Sequence, residues 1–413
     1  MRKARRGLGL GAALALVAGG LLAMVTPTVA NAAPAAPPCT VSMSQVNSTA
    51  RSMGIGGIIT AQGTSSTCQD PPPPPEPAFN GTPPLLFNGR PPVCSFSPCD
   101  HGDVMGTRRT GPVVIVPIFW AIPGFSFTSS YENIIDSYIR DVAAASGQLT
   151  NVFSVLTEYF GNNGTIQYRV KAGPVINSTN PTVGPGCTVA SNDTKNIYAD
   201  KSGYSLCVDD AQIQAEVDAV SASAGLPHNL SYAYQVFLPK GVEGCFNPGS
   251  STSTAGGQAC TINHQPTAAY CAYHSTDLNS AVYSSMNYPI YHSPVGFTCG
   301  TDARFPTEES PNGNVDADTE ISPLSHEVNE SITDPDTETG WFDSSGFENG
   351  DECAYIFGAT GGLPGRLYNQ TINGHNYITQ EEFSNRVFFR SNGTQGCVQS
   401  WLDEFPGSGG PFI

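Results

Sequence analysis

The hydrophobic positions of the chain change period several times, and each change predicts an element. Pro112–Trp120 (PVVIVPIFW) is an almost unbroken run rich in β-branched residues, the pattern of a buried strand. Ser129–Ser146 places Tyr131, Ile134, Ile135, Tyr138, Ile139 and Val142 at helical spacing behind a serine cap. A second helix is expected over Leu149–Phe160 and a third over Asp209–Ala224, with the loop-rich stretch Cys187–Cys207 before the latter. Thr165–Lys171 (TIQYRVK) and Tyr232–Leu238 (YAYQVFL) read as strands, and Ala269–Ser275 (AYCAYHS) as the strand that precedes the last helix. That helix is expected over 323–333, stopped by Asp334-Pro335, because proline lacks an N–H and disfavours a helical residue before it. The order predicts an α+β fold in which a mixed sheet backs the final helix.

Outside this region the pattern fades. Met1–Ala32 has a basic start, an apolar run from Leu8 to Val25 and the small-x-small site Ala30-Asn31-Ala32, which reads as a secretory signal. Residues 33–93 are rich in proline, including Asp70-PPPPP-Glu76 and Pro83-Pro84, and are expected to be a largely disordered propeptide or linker. Arg108-Arg109 offers either a processing site or plain surface charge. The compact part is expected from Cys94, as a domain over 94–340 and a loop-rich C-terminal lobe over 341–413 that completes the site.

Charge and cysteine content narrow the function classes. The net charge is -17, and losing the basic residues of the signal takes it to about -21. Such a chain repels nucleic acid and anionic lipid, so neither is an expected partner. Past the signal no stretch approaches the ~20 apolar residues of a spanning helix. The expectation is a secreted, extracellular monomer that acts on a polypeptide or on an extracellular or cell-wall polymer. The 12 cysteines all follow the signal, and an even count in an exported chain predicts disulfides. Pairing neighbours (39–68, 94–99, 187–207, 245–260, 271–299, 353–397) closes the shortest loops.

The candidate chemistry lies in Ser325–Asp351 (SHEVNESITDPDTETGWFDSSGFENGD). His326 and Glu330, one helical turn apart, project from one face and can grip one cation. Glu327 stands where H-E-x-x-H hydrolases carry their general base. A third ligand is expected from Glu348, with Asp351 orienting a ligand or exchanging roles with it. Zinc is the expected ion; one imidazole with two carboxylates is a harder, more anionic set that also admits manganese or calcium. A bound zinc lowers the pKa of water to about 7, and Glu327 is the expected base. His375 with Tyr377 is a weaker candidate, as stabiliser of an oxyanion. His264, His274 and His292 fall between cysteines and read as structural. Asp316, Asp318 and Glu320 read as acids near the helix N-terminus. Asn329 begins an Asn-x-Ser triplet inside the helix, where a glycan would ruin the site.

NGNVDADTEISPLSHEVNESITDP, followed by GWFD, ENGDEC and ITQEEFSN before Cys397, resembles the EXORDIUM-like (phosphate-induced protein 1) family and its microbial secreted relatives. YQVFLPKGVEGC and AYCAYHS resemble that family's upstream strands, so the likeness covers roughly Tyr232–Cys397 with a looser fit from Pro112. It implies a secreted protein with a zincin-like core, and Glu348-x-x-Asp351 resembles the ligand pair that gluzincin peptidases carry after their helix. The plant members of the family are growth-related proteins of the apoplast. Two functions are therefore expected to compete. One is a zinc metalloendopeptidase; the other is a non-catalytic extracellular protein with a structural metal or none.

Overall fold

The computed structural model describes residues 55–60, 62–63, 76–89, 102–189, 194–195, 197–198, 200–248, 258–261, 270–290, 297–337 and 339–404. The signal reading, Cys39, Cys68, Cys94, Cys99, His264 and His292 lie outside them. Ten elements position the site. In chain order they are β1 (Ile55–Thr60), β2 (Val113–Trp120), α1 (Ser129–Ala144), β3 (Val170–Ala172) and β4 (Ile176–Ser178). Then come α2 (Asp210–Ala224), β5 (Tyr232–Phe237), β6 (Tyr270–Thr276), β7 (Val282–Met286) and α3 (Val315–Thr333).

The strands form one mixed sheet in the order β1-β6-β7-β5-β2-β3, with β4 also pairing β2. The block from β7 through β5 and β2 to β3 is parallel, whereas β6 runs antiparallel to β7 and β1 antiparallel to β6. Alternation along β2 divides the core between the two faces, as strand geometry requires. Val113, Ile115 and Phe119 join Ile135 and Ile139 of α1 and Ile321, Leu324 and Val328 of α3. Val116, Ile118 and Trp120 join Ile213, Val217 and Val220 of α2 on the other side. Each such side chain, fully buried, contributes roughly 1.5–3 kcal/mol.

The caps explain where the helices begin. Thr128, not a serine, caps α1 by accepting the Tyr131 N–H. Asp209 and Gln212 form a capping box at α2, which ends at Gly225 in the left-handed conformation. α3 is longer than its sequence predicts. It starts at Val315 behind Asn314, which accepts the Ala317 N–H at 3.2 Å, and carries Pro323 inside it. Asp316, Asp318 and Glu320 thus belong to its first turns rather than preceding it. Every residue from Ala317 to Thr333 is buried, so tertiary packing on all sides outweighs the proline. The helix ends at Thr333 with Asp334 as its cap.

Other expectations change. Leu149–Phe160 holds a 3-10 helix, Val152–Glu158, rather than an α-helix. Thr165–Lys171 is not one strand: Ile166 N–H bonds Tyr159 O and Gln167 N–H bonds Gly106 O, so pairing passes between neighbours. Parts of 33–93 expected to be disordered are built into the domain. β1 extends the sheet, Leu86–Phe87 pairs Trp341–Phe342, and Leu85 is buried in the core. Disulfides join Cys187–Cys207, Cys245–Cys260, Cys271–Cys299 and Cys353–Cys397. Among the described residues no helix is long and apolar enough to cross a membrane.

Candidate metal centre

Three segments converge under the sheet. α3 brings His326, Glu327 and Glu330; β6 brings His274; the loop after Trp341 brings Glu348 and Asp351. All six residues are 0% exposed. His274 is the residue that sequence reasoning assigned a structural role. Ala272 faces α3 with the core on that side, and strand alternation puts His274 on the same face.

Glu330 is the hub. Its Oε1 accepts the backbone N–H of Asp351 at 2.8 Å. Its Oε2, which has no hydrogen-bond partner, lies 3.0 Å from His326 Nε2 and 3.7 Å from His274 Nδ1. Two triplets share this carboxylate, His274–Glu330–Glu348 and His326–Glu327–Glu330, each with ligand atoms within 4.8 Å of one another. Ligands at about 2.0–2.2 Å around a tetrahedral zinc stand roughly 3.3 Å apart, so these separations have the right size for a shared ion.

The hydrogen bonds around the cluster fix its orientation. His274 Nε2 lies 2.9 Å from Asp334 O; a carbonyl only accepts, so Nε2 carries the proton. Nδ1 then presents its lone pair towards Glu327 Oε2 at 3.4 Å and Glu330 Oε2. A carbonyl behind a ligating imidazole is the usual way a tautomer is held for metal binding. Asp351 Oδ2 accepts the Glu348 N–H at 3.3 Å, and its Oδ1 stands 3.7 Å from His326 Nε2. Asn349 ties the loop down, accepting from Thr333 Oγ1 at 2.7 Å and donating to Glu382 at 2.6 Å. Gln380 donates to Gly350 O at 2.7 Å. Gly350 sits so close that a β-carbon there would lie 2.8 Å from both Glu330 Oε1 and His326 Nδ1.

Electrostatics follow from burial and crowding. Burial pushes the His326 imidazole down, but the charges of Glu330 and Asp351 outweigh it and raise its pKa. Glu382, fully buried beside the loop, is pushed well above the carboxylate range by burial and by the charges of Glu330 and Asp351. Sequence reasoning did not single out Glu382, although it lies inside the ITQEEFSN stretch.

His375 and Tyr377 are not part of this centre. The Tyr377 hydroxyl donates to Asp141 Oδ2 at 2.6 Å, and His375 Nδ1 lies 2.7 Å from the same oxygen. Asp141 belongs to α1, and the His375 side chain is 63% exposed. A buried carboxylate needs donors, and this pair supplies them. Asn329 is fully buried, and its amide donates to Ser325 O at 2.7 Å, which closes it to glycosylation in the folded chain.

Fold and site together define a disulfide-bonded mixed α/β domain with a buried cluster of imidazoles and carboxylates on one central helix. Comparison with known families, with curated proteins and with solved structures finds no match to this chain.

Proposed function

We propose that the chain is a secreted, metal-dependent peptidase with a zincin-like core. One observation carries the reading. Four carboxylates and two imidazoles are packed together at 0% exposure, an excess of negative charge that burial makes costly and a divalent cation relieves. His326, Glu330 and Glu348 hold the ion, His274 is a further nitrogen ligand, and Asp351 orients the loop. When bound, zinc (or manganese or calcium) polarises a carbonyl and makes water more acidic.

The chain's own groups supply the rest. Glu327 is the base: it takes a proton from the attacking water and hands it to the departing amine. Its Oε2 lies 3.4 Å from His274 Nδ1, which places it inside the same cluster as the ligands. β6 presents an extended backbone beside α3, and β1 already lies antiparallel on it with Gly56 opposite His274. The resemblance to EXORDIUM-like proteins supports an extracellular setting.

A second reading is favoured by the complete burial of the centre: an ion that only stiffens an extracellular protein. Glu327→Gln separates the two. Under the first reading metal content stays that of the wild type, while cleavage of an unfolded protein substrate falls by about 10²–10⁴-fold. Absence of cleavage by the zinc-loaded wild type from acid to alkaline pH hands the case to the second.

A further inference from the structure

We propose that Asp218, His228 and Asp277 form a second divalent-cation site of the zinc type, at the far end of α2. Asp218 lies in the penultimate turn of that helix, His228 in the connection to β5, and Asp277 in the turn between β6 and β7. Ligand atoms of the three lie within 4.8 Å of one another, with His228 Nδ1 3.7 Å from Asp218 Oδ1.

Three features make this more than a patch of acid. The Asp277 residue is only 6% exposed, and its Oδ2 has no hydrogen-bond partner, whereas Oδ1 accepts the N–H groups of Asn279 and Ala281 at 2.8 Å each. A buried carboxylate oxygen left unbonded beside another carboxylate calls for a cation. Asp218 Oδ1 is likewise buried and unbonded, while Oδ2 accepts the Asn279 amide at 2.7 Å. The imidazole is also pre-set. Ser221 Oγ donates its one hydrogen to Asp218 O at 3.1 Å, so its contact with His228 Nε2 at 2.7 Å must be an acceptance. Nε2 therefore carries the proton, and the Nδ1 lone pair faces the carboxylates. A hydroxyl behind a ligating imidazole holds the ring and its tautomer for a metal.

The donor set selects the ion class. One nitrogen and two carboxylates suit zinc, whereas calcium prefers six to eight oxygens. Side-chain exposures of 18% at His228 and 39% at Asp218 leave an entry path and room for water as a further ligand. An ion here clamps α2 to the β6–β7 turn, three residues beyond His274.

The test is zinc titration of the metal-stripped full-length chain by calorimetry, with His228→Gln, Asp277→Asn, Ser221→Ala and His326→Ala. His228→Gln and Asp277→Asn are expected to bind one equivalent fewer than the wild type, and Ser221→Ala to bind that equivalent about tenfold more weakly. His326→Ala is expected to keep it, so loss of the central ion is read separately. Thermal unfolding without zinc controls for folding; if Asp277→Asn does not fold, His228→Gln, at a partly exposed position, decides. Unchanged stoichiometry in His228→Gln overturns the site. So does an imidazole that NMR finds doubly protonated at neutral pH and unmoved by zinc, since the proton is then the cation.

Discussion

The central cluster and the rim cluster are built on one plan and sealed to different degrees. In each, an imidazole donates from Nε2 to a fixed oxygen, Asp334 O in one and Ser221 Oγ in the other, and turns Nδ1 towards carboxylates. The central one is closed on every side; the rim one keeps two partly exposed ligands. Burial strengthens attraction between an ion and its ligands, and it also raises the cost of leaving the ligands empty. Depth therefore sets how much of the fold depends on an ion, while the local pattern sets which ion is taken.

The largest effect that breaks this comparison is expected from Glu330→Gln. It removes the hub charge that both central triplets share, so the central ion is lost, and thermal or denaturant unfolding shows about 3–5 kcal/mol of lost stability. The same change leaves zinc binding at the rim intact. Next is a kinetic contrast. A chelator added to the zinc-loaded protein strips the rim ion promptly and the central ion only as the domain opens, which time-resolved metal release measures. Single-phase release of both ions would contradict the difference in depth.

Gly350→Ala comes third. Its new methyl meets Glu330 and His326 at 2.8 Å, an overpacking that costs about 1–3 kcal/mol and lowers central-ion affinity, read by zinc competition. The smallest effect is a pH slope away from both clusters. Glu381 is held up at about 8 by burial and by the charges of Glu76 and Asp403, from an ordinary value of 4.5. Glu308 is also raised to about 8, by burial and by Asp302. The folded chain keeps these protons to higher pH than the unfolded one. Stability is thus full below the ordinary carboxylate range and declines as pH rises through about 8. Unfolding temperatures measured across that range, with Glu381→Gln flattening the decline, check the sign.

What could be read from the sequence was whatever is local. The one-turn spacing of His326 and Glu330, the stop at Asp334-Pro335 and the return of acids at Glu348 and Asp351 depend on helix geometry and a short loop. The four described disulfides also join neighbouring cysteines, as the shortest-loop pairing anticipates. His274 was hidden because its place depends on strand register against Ser284 of β7, a contact between segments. Asp141 and His375 meet across 234 positions, and nothing near either residue announces the other. The rim site has no motif at all: its ligands come from a helix, a connection and a turn. Proline content was misleading around Leu85, where a few apolar side chains suffice to anchor an otherwise irregular stretch.

β1 carries a practical lesson. A shortened chain that begins at Cys94, where the compact part was expected to start, would strip β6 of its neighbour and bare a row of backbone donors and acceptors. Such an edge recruits other chains, so material made without residues 55–60 is expected to clump on purification while the longer form stays dispersed.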